Sequence, residues 1–201
     1  MARPKSANHD IKRDAILDMA ALCFADRGYT AASMNDIAQA CGTSKARLYH
    51  YYDGKDAILF DLLDRYTQRL LVIIGETEAI AQRQGLDDKA SLHALIRHFL
   101  IEYEQSATRH VALLNDTKFL APAQRDVILD RQRNVVSAFT RFLQRAYGSR
   151  MNAANATPIT MMLFGMMNWT FTWLKAGGPL SYAQFADEVI QLLERGMQTN
   201  A

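Results

Sequence analysis

The stretch SMNDIAQACGTSKARLYHYYDGK, residues 33–55, decides the fold of this chain. Ser33 stands before an apolar-periodic run with Asp36 three residues on, a capping-box start for a helix. That helix carries Met34, Ile37, Ala38 and Cys41 on one side and stops at Gly42, where a tight turn calls for glycine. Thr43 or Ser44 caps a third short helix running through Tyr51. Ala38 is small enough to let the second helix cross the first, with Ile37, Cys41 and Leu48 between them. Two short helices meeting at a glycine turn form a helix-turn-helix, whose second helix enters the DNA major groove. Its exposed face offers Lys45, Arg47, Tyr49 and His50, donors suited to base edges and phosphates.

Outward from this stretch the pattern stays helical, and no strand alternation appears. Ile11 to Ala25 is amphipathic and ends at Arg27-Gly28. Asp53-Gly54-Lys55-Asp56 opens a long helix in which Gly75 marks a possible bend. Further helices are expected over 88–105 and 108–118, and from Pro122 to Tyr147. An uncharged helix follows over 158–175, then a loop over 176–179. Ser181 with Gln184 forms a second capping box, opening a last helix that ends near Gly196. The fold class is therefore all-α with nine helices. The favoured boundary lies inside the long helix after residue 55, where three short helices give way to long ones: an N-terminal three-helix DNA-binding domain, 1–55, and a helical domain, 56–201.

Composition agrees. The chain has 201 residues, 49% hydrophobic and 22% charged, with four prolines and ten glycines. This suits a soluble globular protein with long helices and excludes a disordered chain or a turn-dense β fold. Cys23 and Cys41 are too few for a disulfide framework, which points to a reducing, cytoplasmic setting. Arg3, Lys5, Lys12 and Arg13 against Asp10 make a basic N-terminal arm, either a phosphate contact or a solvated tail. No signal peptide is expected, since the first 13 residues lack an apolar run. The uncharged run Met151–Leu174 has an apolar part of only 16 residues, Ile159–Leu174. That is roughly 24 Å of helix and contains Asn168 and threonines, so it reads as a buried helix rather than a membrane span.

Residues 24–38, FADRGYTAASMNDIA, and 42–59, GTSKARLYHYYDGKDAIL, resemble the signature of TetR-type (TetR/AcrR) regulators. The resemblance implies site roles, position by position. Thr30 and Ser33 lie where the second helix meets phosphate, and Asn35 reaches a base or the backbone. Ser44 and Lys45 begin the recognition helix, and Ala46 allows close approach to bases. Arg47 pairs with guanine or grips phosphate, Tyr49 and His50 contact the backbone, and Lys55 contacts phosphate at the start of helix four. Thr43, Ala46 and Tyr52 depart from the usual valine, glycine and phenylalanine, which leaves the operator sequence open. Tyr51 and Tyr52 either pack against helices one and four or reach DNA.

The resemblance also implies that 56–201 is an effector-binding and dimerisation domain, in a homodimer whose last two long helices, 158–175 and 182–196, form a four-helix bundle. The dimer would read double-stranded operator half-sites about 34–36 Å apart. Gly165, Asn168 and Thr172 are candidate interface residues. Residues 164–181, FGMMNWTFTWLKAGGPLS, resemble the branch that responds to acyl-coenzyme A intermediates of fatty-acid, phenylacetate or sterol breakdown. Met162, Met166, Trp169 and Trp173 share one helix face, as core, dimer seam or effector wall. A thioester's phosphates would need cations, and Arg125, Arg131, Arg133, Arg141 and Arg145 crowd one helix, although such runs usually mark a solvated face. The expected activity is effector-released repression, with activation as the less common sign. Another hydrophobic effector, a drug or aromatic compound, is the alternative.

An enzyme is the rival class. His93 and His98 are five apart, a poor spacing for one helix face, and His98 with Glu102 reads as an exposed pair rather than a metal site. No phosphate loop, zinc pattern or serine elbow appears, so neither catalytic residues nor a cofactor is expected.

Overall fold

A computed structural model describes residues 7–175 and 177–197. Arg3 and Lys5 of the basic arm, and Ala176 of the expected loop, lie outside the described residues. The helices are α1 Ala7–Arg27, α2 Met34–Ala40, α3 Lys45–Tyr49, α4 Lys55–Gln84, α5 Asp88–Gln105, α6 Ala107–Asp116, α7 Pro122–Tyr147, α8 Ala156–Asn168, α9 Thr170–Trp173 and α10 Tyr182–Gly196. Single 3-10 turns follow α6 and α7. The described residues contain no strand. Only Trp169 separates α8 from α9, and with these two counted together the described architecture is that of nine helices. No helix of the described residues is long and apolar enough to cross a membrane.

The helix boundaries follow from local chemistry. Ser33 caps α2 with both bonds of a capping box: the Asp36 N–H donates to Ser33 Oγ at 3.2 Å, and the Ser33 N–H donates to the Asp36 carboxylate at 2.9 Å. Ser181 and Gln184 repeat this at α10. Gly28 and Gly42, with φ of +77° and +61°, end α1 and the α2 turn in the left-handed conformation that only glycine adopts without strain. α4 remains helical through Gly75.

One expectation changes form. The single helix over 158–175 is interrupted at Trp169, whose φ and ψ of −87° and 3° leave the helical region. Thr170 Oγ1 donates to the Met167 carbonyl at 2.9 Å and Thr172 Oγ1 to the Trp169 carbonyl at 2.7 Å. Hydroxyls that bond back to the preceding turn compete with the helical ladder and bend it.

The chain folds into two compact units. The first comprises residues up to Tyr66 together with Thr108–Ile128. Its core holds Leu17, Phe24, Ile37, Leu48, Ile58 and Leu62, all nearly fully buried. Four side chains along the first turns of α4 bind the helices that precede it. Lys55 takes the α1–α2 loop, and Asp56 accepts from the Tyr29 hydroxyl. Asp61 accepts from Arg13 at 2.8 Å and from Tyr52 at 2.5 Å, and Arg65 donates to Asp14 at 2.8 Å. Within this unit Arg109 of α6 also grips Asp18 of α1 at 2.6 Å, and Phe119 stacks on Tyr29 at 5.0 Å.

The second unit comprises Thr67–Ala107 and the residues from Leu129 onward. Phe99, Phe139 and Phe164 meet edge-on or tilted at 4.7 and 4.8 Å, contacts worth roughly 0.5–1.5 kcal/mol each beyond area burial. α10 lies along α5, where Arg97 pairs with Asp187 at 2.8 Å and His93 with Glu194 at 3.3 Å. The expected exposed pair of His98 with Glu102 does not form. Thr77 Oγ1 lies 2.8 Å from His98 Nδ1, and Glu102 turns inward to Ser106 Oγ at 2.7 Å and Arg69 at 3.3 Å. Each found a closer partner on its own turn or on α4. No group of three potential metal ligands exists among the described residues.

Candidate nucleic-acid interface

The helix-turn-helix is built as its residues dictate. Ile37 and Leu48 are fully buried and Cys41 is half-buried where α2 crosses α3. Ser44 caps α3 by accepting from the Arg47 N–H at 3.2 Å, so of the two candidate caps Ser44 is the one used. α3 ends at Tyr49, two residues earlier than expected, and the Tyr51 and Tyr52 N–H groups still donate to the Leu48 carbonyl at 2.9 and 3.1 Å.

Thr30, Ser33, Asn35, Ser44, Lys45, Ala46, Arg47, Tyr49 and His50 are all exposed. They come from the α1–α2 loop, from α2 and its cap, and from α3 and its cap. The basic side chains Lys45 and Arg47 have no carboxylate partner among the described residues. Lys45 lies over the Tyr49 ring at 6.0 Å. This is a surface rich in donors and poor in anions, the chemistry that phosphate and base edges require.

Asp36, the one acid of α2, is occupied elsewhere. Ser33's hydroxyl and N–H bind its carboxylate, and Arg27 approaches it at 2.7 Å. These hold its pKa below the ordinary carboxylate value. The same contact ties the end of α1 to the start of α2.

Lys55 sits differently from what the resemblance implies. Its ammonium donates to the carbonyls of Tyr29 at 2.7 Å, Thr30 at 3.3 Å and Ala32 at 2.8 Å. An ammonium has three donors, so all three close on the α1–α2 loop. The nitrogen also lies 4.4 Å over the Tyr29 ring. Burial, followed by the bond to Asp56, pushes the Tyr29 hydroxyl well above its ordinary value, so it stays protonated and donating.

Arg13, assigned to the basic arm, is likewise turned inward to Tyr52 and Asp61. Tyr52 is buried between them, and Tyr51 rests against His9 at 5.1 Å between ring centres. Both tyrosines pack against protein. Sequence reasoning missed Asp61 as the hub of this network. Burial opposes its charge, but bonds from Tyr52 and Arg65 and the charges of Arg65 and Arg13 outweigh it, lowering its pKa. The only signal was its place on the inward face of an otherwise apolar stripe.

In the second unit, Met162, Trp169 and Trp173 are more than half exposed, while Met166 and Asn168 are half-buried. Gly165 and Thr172 are exposed. Tyr103 donates to Asn168 Oδ1 at 3.1 Å. An open apolar groove of about 840 Å³ lies between α8 and α10, with Met162, Gly165, Met166, Leu192 and Met197 on its walls. Of the five arginines named on α7, Arg125, Arg133, Arg141 and Arg145 are exposed. Arg131 is half-buried and reaches Thr67 Oγ1 at 3.4 Å.

Residues 16–62 match the family described as bacterial regulatory proteins, tetR family. Residues 85–197 match tetracyclin repressor-like, C-terminal domain. A TetR-family transcriptional regulator from Bordetella parapertussis 12822 is 35% identical, with 90% of this chain and 93% of that one covered and a TM-score of 0.84. AibR, crystallised with isovaleryl coenzyme A and operator DNA, is 26% identical over 90% of this chain and 97% of its own, at a TM-score of 0.78. The HTH-type transcriptional repressor KstR2 of Rhodococcus jostii (strain RHA1) is 34% identical over 102 residues, 51% of this chain and 47% of that protein. The chain thus matches about half the length of that relative. Both ends of the chain, the reading head and the helices beyond it, therefore carry the same lineage, and the chain belongs to the TetR family of bacterial regulatory proteins, which bind DNA and are not enzymes.

Proposed function

We propose that this protein is a cytoplasmic, ligand-responsive repressor that binds a palindromic operator as a homodimer. One observation carries the DNA-binding part. Nine residues expected to face DNA are exposed together, on helices whose caps are formed and whose one carboxylate is already neutralised. A single α3 of five residues reads few base pairs, so specificity calls for two heads on half-sites about 34–36 Å apart.

The exposed apolar face of α8 and α10 supports the pairing. Met162, Gly165 and Leu192 line an exposed apolar groove that a second copy would cover isologously, and Trp169 and Trp173 are more than half exposed further along the chain. Their exposure favours the dimer seam over the effector wall for Met162, Trp169 and Trp173. The effector is an acyl-coenzyme A. The likeness to AibR, seen with isovaleryl coenzyme A, supports this reading, as does the resemblance of residues 164–181. Effector and operator weaken each other by one coupling factor, as linkage requires.

The test is a fluorescence-anisotropy titration of duplex DNA flanking the protein's own gene, with and without a panel of acyl-coenzyme A thioesters. Release by one thioester, but not by its free acid or by free coenzyme A, is the expected result. DNA binding that no thioester reverses would overturn the effector assignment and leave the reading head standing.

A further inference from the structure

A groove of about 570 Å³ runs between α1 and the α2–α3 turn, all within the first unit. Its size falls within the about 300–1,000 Å³ of small-molecule sites. Ile16, Met19, Leu48 and Tyr51 make it apolar. Lys12 from α1 and Arg47 from α3 stand on its rim, and neither has a carboxylate partner among the described residues. Asp18, the one acid on its wall, is bound by Arg109 at 2.6 and 3.0 Å, so its charge is already balanced. Cys41 adds a thiol that burial keeps neutral. An apolar floor under two uncompensated cations is complementary to a molecule with a hydrocarbon body and one anionic end.

We propose that this groove binds a small anionic amphiphile, a medium-chain carboxylate, and that its occupant competes with DNA for Arg47. The competition rests on the reading of α3 as the helix that meets DNA; the groove itself does not. A carboxylate bridging Lys12 and Arg47 takes the guanidinium from phosphate or base and adds negative charge where the duplex must approach. Release by this route needs no movement of the second unit, so it operates apart from any effector bound there.

The experiment uses the full chain and a dodecanoate carrying a photoreactive diazirine, with cross-linked peptides mapped by mass spectrometry. Adducts are expected within residues 12–19 and 40–51, suppressed by excess plain dodecanoate. Lys12→Glu, a change at an exposed position, should weaken groove labelling at least tenfold, and Ala15→Trp should abolish it by filling the groove. Adducts confined to residues 67–107 or 129–197, or none at all, would overturn the site. So would groove adducts indifferent to both substitutions. If Lys12→Glu weakens only DNA binding, the rim serves phosphate alone and the proposal fails. A second arm adds saturating duplex that has bound in the anisotropy assay; groove adducts that persist there would overturn the competition. Because the first arm contains no DNA, loss of the site and loss of the DNA-binding reading are told apart.

Discussion

Replacing Lys55 by alanine separates two roles that the same lysine could play. In the structure its ammonium closes the α1–α2 loop through two short bonds, at 2.7 and 2.8 Å, and a longer one at 3.3 Å. A hydrogen bond from a charged donor is worth about 1.5–3 kcal/mol where the acceptor is withdrawn from water. Thr30 is exposed and water will replace the bond to its carbonyl, whereas Tyr29 and Ala32 are buried residues. Partial hydration of the vacated loop reduces the loss, and the cation over the Tyr29 ring adds roughly 0.5–1 kcal/mol. We expect a net cost of about 2 kcal/mol, which for a chain of this size lowers Tm by roughly 4–8 °C. DNA affinity should fall at every salt concentration alike, because Thr30 and Ser33 lose their support while no phosphate contact is deleted. The assays are thermal unfolding followed by circular dichroism and anisotropy titrations across a salt series. An unchanged Tm with a salt slope reduced by about 0.9 would show that Lys55 neutralises a phosphate instead, and would refute the clamp.

Three further outcomes follow from the same geometry. Ser33→Ala removes the hydroxyl that accepts from the Asp36 N–H, one of the two capping-box bonds, and should cost about 1 kcal/mol, read as a Tm loss that Ser33→Thr restores. Asp61 has a lowered folded pKa, so its contribution is complete above the ordinary carboxylate value of about 3.9 and is lost as pH falls below it. Acid unfolding should therefore be less steep in Asp61→Asn, which starts less stable at neutral pH; identical acid limbs would remove Asp61 from the account. Met162→Glu places a charge in the exposed α8 groove and should convert dimer to monomer in sedimentation velocity, while an undisturbed dimer would move the interface elsewhere.

What the sequence disclosed and what it withheld divide along physical lines. Helix starts and stops were legible because the groups that set them lie within four residues of each other, as at Ser33 and Asp36, Ser181 and Gln184, and the glycines past α1 and α2. The exposed face of α3 followed from one buried leucine, Leu48, which orients the whole turn. The partners of Lys55, Arg13 and His98 were not legible. Each is fixed by a group 21 or more residues away, and an isolated lysine or arginine carries no sign of whether it will meet a carbonyl, a carboxylate or a phosphate. The break at Trp169 was hidden for a related reason: threonines 170 and 172 read as ordinary helix residues until their hydroxyls bond backward. The exposure of Met162 and Trp169 was invisible because an apolar stripe looks the same whether its cover is its own chain or a second copy.

The anchors along the start of α4 have a mechanical meaning. Lys55, Asp56, Asp61 and Arg65 fall within three turns, and between them they hold the α1–α2 loop with Tyr29, Tyr52 beyond α3, and Arg13 and Asp14 on α1. The segments on either side of α2 and α3 are thus pinned to the same short length of α4. Sliding, hinging or twisting of one of these elements against the start of α4 would have to break an ion pair or a charged hydrogen bond. The first three turns of α4 and the elements they hold are cross-braced by charged contacts. In the proposed dimer, two such heads on one duplex would keep their spacing only as long as their two α4 helices keep their angle.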